Sequence, residues 1–161
     1  MHGTELMADI LARNADFLKM TLADFSDADM MTRPCPGANH AAWQLGHLTV
    51  AENSFMNGSA PGKAPELPAG FKDKFTKETA KIDDAKSFPK KDEILEQFSK
   101  QRNAMVAWAK SLTPADLDKP GPHPAFAPSV GHLLAMTPVH VAMHVGQFQA
   151  IRRKLGKPVL F

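Results

Sequence analysis

The sequence predicts an all-α four-helix bundle with long connections, on three observations. Apolar residues recur every three or four positions along four separate stretches. Proline and glycine gather between those stretches, and no segment alternates apolar and polar residues as a half-buried strand does. At 161 residues the chain is expected to form one domain, residues 1–161, long enough to bury its own core.

The first stretch runs over residues 4 to about 25, with Leu6, Ile10, Leu11, Phe17, Leu18 and Leu22 at helical spacing and neither glycine nor proline inside. Residues 26–40 form a linker broken by Pro34, Pro36 and Gly37, with room for one short helical turn. Asn39 is the expected N-cap of a second helix that reaches about residue 57 and carries Trp43, Leu45, His47, Leu48, Val50 and Phe55. Residues 58–89 hold Pro61, Gly62, Pro65, Pro68, Gly70 and Pro89 and read as irregular. So long a structureless loop is unusual in a small domain, so it is expected to fold over the bundle as a lid, with Phe71 and Phe75 pinning a short helix.

A third helix is expected from about residue 91 to 112, buried along Ile94, Leu95, Phe98, Met105, Val106 and Ala109. A second proline-rich connection, residues 113–129, ends at Ser129, which opens the last helix; Gly156 and Pro158 stop it. Pro138 either kinks this helix or, with Thr137 as N-cap, starts a separate one.

Composition narrows the function. An apolar content of 43%, a charged content of 22% and a net charge of +2 without a run of like charges argue against nucleic acid or an acidic membrane as partner. There is no apolar run of about 18 residues. The lone Cys35 excludes an internal disulfide framework, and a cytoplasmic protein is expected. Nine methionines and ten phenylalanines suggest an adaptable core. No Gly-rich phosphate loop, nucleophilic serine motif or CxxC occurs.

The stretch that carries chemistry is residues 137–156. His140 and His144 lie four apart, about 40° round a helix and one turn along, so their imidazoles can reach one point. A metal site usually needs a third protein ligand. His47, beside Gly46 on the second helix, is the best candidate, because glycine lets a neighbouring helix or ligand come close. The alternative is three separate core histidines.

His132 is also four-spaced with the pair, but each step of four drifts about 40°. His2, His40 and His123 are expected in solvent. Cys35 reads as a small buried hydrophobe rather than a ligand. Arg152, Arg153 and Lys154 suit a helix C-terminus, or a cationic rim for an acidic cofactor. Gln147 is either a partner of an imidazole or an amide of the core.

Three segments, NHAAWQLGHLTVAEN, FPKKDEIL and HVAMHVGQFQAIRRKLGKP, together resemble the DinB-like superfamily, which includes the YfiT-type thiol transferases. The most specific part is H-x3-H-x-G-Q followed by RR-x-LG-x-P. The resemblance implies a four-helix bundle binding a divalent metal through three histidines, here His47, His140 and His144.

Three imidazoles suit a transition ion, zinc or nickel first, and leave it a free position. The function expected is a metal-dependent transferase of a low-molecular-weight thiol acting on a small-molecule substrate, in a homodimer. The alternative is a non-catalytic metal-binding bundle for stress response or sequestration. A hydrolase would want a carboxylate near bound water, and Glu52 lies about 140° round the helix from His47.

Overall fold

Four long helices carry the described residues, and the side chains of His40 and Ser129 accept N–H groups in the first turn of two of them. A computed structural model describes residues 2–160. Helix α1, Gly3–Leu22, buries Ala8, Leu11, Ala15, Leu18 and Leu22. Leu6 and Ile10, expected on that stripe, stand 44% and 36% exposed instead. In the linker Ser26 and Asp29 exchange side-chain and backbone hydrogen bonds of 2.8 and 3.1 Å, a reciprocal cap that supports the one-turn helix α2, Asp27–Met30.

Helix α3, Ala41–Ser59, is capped by His40 rather than by Asn39. Nδ1 of His40 accepts the Trp43 N–H at 3.1 Å, a role usually taken by a side-chain oxygen. The segment after α3 is not structureless: it makes three short 3₁₀ turns, Lys72–Phe75, Thr79–Lys81 and Ala85–Ser87. Its Phe71, Phe75 and Phe88 enter the apolar core with Leu45, Leu48 and Phe98. A Cβ on Gly46 would stand 2.0 Å from a carbon of the Phe75 ring, so the close approach that this glycine permits is to the 58–89 segment.

Helix α4, Lys91–Ser111, follows, then a 3₁₀ turn, Pro114–Asp118. The second proline-rich connection holds a feature the sequence did not predict. Strand β1, Pro120–His123, pairs antiparallel with β2, Ala127–Ser129. Strands of four and three residues rich in proline are too short to show alternation. A Cβ on Gly121 would lie 2.1 Å from the Ala127 carbonyl oxygen, so only glycine permits this pairing. Helix α5, Val130–Lys154, then runs as one helix through Pro138, with Ser129 as its cap. The proline removes the donor for the Leu134 carbonyl without ending the helix. The chain leaves α5 at Gly156, whose φ is 68°.

Helices α1 and α3 each pack on both α4 and α5. Two buried arginines tie them. Arg102 on α4 pairs with Glu52 on α3, both 1% exposed, and donates to the Leu11 carbonyl and the Asn14 side chain on α1 at 2.6 and 3.2 Å. Arg152 lies in the last turn of α5, as expected, and is 2% exposed; it pairs with Asp24 and donates to the carbonyls of Thr21 and Pro158 at 3.0 and 2.9 Å. Cys35 is exposed, not buried. Among the described residues no helix is long and apolar enough to cross a membrane.

Candidate metal centre

The packing of α3 against α5 brings His47, His140 and His144 together. One ligating nitrogen from each lies within 4.8 Å of the other two. Nε2 of His47 and Nε2 of His140 are 3.3 Å apart. Two nitrogens sharing one ion at about 2.05 Å and a tetrahedral angle would be about 3.3 Å apart. The donor set and the spacing of the His47–His140 pair therefore fit a borderline divalent ion.

Two of the three rings, His144 and His47, are held from behind. Nδ1 of His144 lies 2.8 Å from Oε1 of Gln44, one helix away. Nε2 of Gln44 donates to the Asn39 carbonyl at 2.6 Å. That carbonyl can only accept, so the amide nitrogen must face it and Oε1 must face His144. Nδ1 of His144 therefore carries the proton, and Nε2 keeps its lone pair for an ion. The His47 ring stacks on Trp43, centroids 5.0 Å apart and planes 6° from parallel. Trp43 is itself anchored, its Nε1 donating to the Thr76 carbonyl and to Oγ1 of Thr79 at 3.1 Å each.

The cluster favours uncharged imidazoles. Burial lowers the proton affinity of His47. Burial, then the neighbouring His47, hold His140 down to about 4. Burial, then His140 and His47, hold His144 down to about 3. Neutral imidazoles are what a metal requires.

A pocket of about 450 Å³ opens onto this cluster, lined by His47 and His140 and by Phe55, His123, Phe126 and Met143 among others. His123, expected in solvent, is half-buried there, stacked on Phe126 at 4.7 Å. His40, also expected in solvent, is fully buried; besides capping α3 it donates from Nε2 to the Ile82 carbonyl at 3.2 Å. His132 is outside the cluster, bonded to Ser129 at 2.8 Å, and His2 is exposed. Glu52 is spent on Arg102, and burial pushes its carboxyl up against the lowering pull of that arginine.

The imidazole partner is Gln44, not Gln147. Its sequence signal was its place three residues before His47, on the same face of the helix. Nothing local signalled His123, which a hairpin delivers.

Residues 10–148 match the DinB superfamily. The chain belongs to the DinB superfamily. Two solved structures share the fold of this DinB-superfamily chain. A conserved protein of Enterococcus faecalis matches with a TM-score of 0.71 at 20% identity, over 98% of this chain and 99% of that one. YfiT from Bacillus subtilis, a probable metal-dependent hydrolase with an unusual four-helix bundle topology, matches with a TM-score of 0.68 at 16% identity, over 98% of this chain and 91% of the other. No curated protein matches the chain in sequence.

Proposed function

We propose that the chain is a metal-dependent transferase in which His47, His140 and His144 hold a divalent ion, zinc or nickel, and a low-molecular-weight thiol is the nucleophile. The observation that carries this reading is the pocket of about 450 Å³ that opens onto His47 and His140 and gives a small molecule access to the cluster. When bound, such an ion supplies a positive charge that stabilises a thiolate and polarises an electrophile.

The chain's own residues do the rest. Gln44 sets the tautomer of His144, and Trp43 fixes the plane of His47. Phe55, Phe126 and Met143 keep the pocket apolar, where charge interactions gain strength. In the transfer the thiol gives its proton to solvent, a sulfur–carbon bond forms, and the leaving group departs with its electron pair.

The choice of a thiol over water rests on the missing carboxylate. Among the described residues that line the pocket there is no carboxylate, and Glu52 is committed to Arg102. Activation of water usually calls on such a group, whereas a thiol of ordinary acidity needs far less help. A purely storage role would suit a sealed site. Phe71 and Phe75, which such a seal would require over the cluster, lie in the core.

Elemental analysis of untagged protein from cytoplasmic expression tests the metal. One divalent ion per chain is expected in the wild type and its loss in His144→Ala; a folded, metal-free wild type would defeat the reading. Consumption of electrophiles with and without added thiol then tests the reaction, and equal rates in both would turn it to hydrolysis, the chemistry attached to YfiT.

A further inference from the structure

We propose that the β1–β2 hairpin and Phe55 form a recognition wall for an uncharged aromatic group of the substrate. The orientation of that group, reacting end toward the histidines, rests on the proposed function; the binding of its ring does not.

Three rings make the wall. His123 and Phe126, on either side of the hairpin turn, stack with centroids 4.7 Å apart and planes 18° from parallel. Phe55 on α3 meets His123 nearly edge-on, at 5.6 Å and 75°. It lies 6.3 Å from Phe126 and 6.5 Å from His140, so the rings lead from the hairpin to the metal cluster. Helix α5 adds Met136 and Met143, whose polarizable thioethers favour contact with aromatic faces.

Phe126 is 48% exposed, Met136 36% and Met143 61%. Apolar surface of this kind gathered around a pocket marks a binding site more often than chance exposure does. Among the described lining residues there is no lysine, arginine, aspartate or glutamate. Against the hairpin end of the pocket, a charged ligand group would lose hydration and meet no side-chain counter-charge. The cations once suited to a rim for an acidic cofactor are elsewhere: Arg152 is buried against Asp24, and Lys154 donates to the Arg33 carbonyl at 2.9 Å. The wall thus suits the electrophile's flat apolar part rather than an anionic thiol.

The wall is also set in place before a ligand arrives. Pro120, Pro122 and Pro128 stiffen the two strands. A Cβ on Gly58 would fall 2.7 Å from Cβ of Pro122, so β1 is seated hard on the end of α3. β2 runs directly into the Ser129 cap of α5. A pre-set wall avoids the ordering cost that a mobile loop would charge to binding.

The test compares 2-naphthol with decahydro-2-naphthol, the same skeleton without π electrons, on the protein as purified. Binding is followed through the ¹³C-labelled methionine methyl resonances of Met136 and Met143. The aromatic alcohol is expected to bind about fivefold to tenfold tighter, and Phe126→Leu, which keeps apolar area and removes a ring, should bring the ratio to about twofold or less. The half-exposed position of Phe126 makes the variant tolerable to the fold. Equal binding of the two alcohols, no shift of either methyl, or an undiminished ratio in the variant would each overturn the wall. Methyl shifts that follow protein concentration instead of ligand would assign the face to a second copy and overturn it too. Metal content measured on the same samples separates the two readings: metal without aromatic preference sinks the wall alone, and aromatic preference without metal sinks the metal centre alone.

Discussion

The His144 imidazole presents Nε2 to the cluster because of a chain of hydrogen bonds that starts at a backbone carbonyl. Asn39 orients Gln44, and Gln44 orients His144. Gln44→Met keeps the volume and removes the acceptor, so the buried Nδ1–H loses its partner and the other tautomer becomes accessible. We expect metal affinity to fall about 10- to 100-fold with the fold retained, read by competition against a chelating dye. Gly46 is a second such position. On an open helix face Gly→Ala would stabilise by up to about 1 kcal/mol. Here the added methyl would overlap the Phe75 ring, so Gly46→Ala is expected to destabilise by about 1–3 kcal/mol in urea unfolding. A stabilised variant would show that Phe75 does not pack there. His40 illustrates what local reading misses: beside a helix start it looked solvent-bound, yet the 58–89 segment covers it, with Phe88 edge-on at 4.7 Å.

The helices are held in register by buried charge as well as by apolar stripes. Arg102 joins α1, α3 and α4 through Glu52, Asn14 and the Leu11 carbonyl. Arg102→Met leaves the Glu52 carboxylate buried without its counter-charge, and a loss of about 3–5 kcal/mol is expected in chemical denaturation. Replacing the pair together by Glu52→Gln and Arg102→Met should recover part of that loss. The stripes of α1, α3, α4 and α5 were legible because each is long enough for the 3.6-residue period to show. The hairpin was not, since four and three residues give too few alternations. Nor could sequence choose between a kink and a new helix at Pro138: a missing N–H is tolerable in either case, and packing of the buried Thr137 and Pro138 keeps α5 in one piece.

Across the whole molecule the buried histidines make stability depend on pH. His40 and His140 are held down to about 4 and His144 to about 3, against 6.5 for a free imidazole, burial being the first cause in each. The folded chain keeps them neutral while the unfolded chain binds protons below about 6.5, so stability is full above that pH and is lost as pH falls toward 4. Thermal unfolding of metal-free protein is expected to show a lower Tm at pH 5.0 than at 7.5. His40→Asn, which keeps an acceptor for the α3 cap, should lose less over the same interval. An unchanged pH dependence in the variant would mean that His40 is not buried neutral.

The three-histidine cluster stood half in the sequence. The four-residue spacing of His140 and His144 follows from helix geometry alone, and so did the bundle, since period and breakers are local properties of the chain. That His47 lies 3.3 Å from His140 depends on how α3 meets α5. The same is true of Gln44 as the partner of His144 and of His123 and Phe126 at the pocket mouth. These contacts span up to 100 positions of sequence, and no local pattern encodes a distance of that kind. They arise when buried stripes, glycine notches and paired charges settle on the one packing that satisfies all of them together.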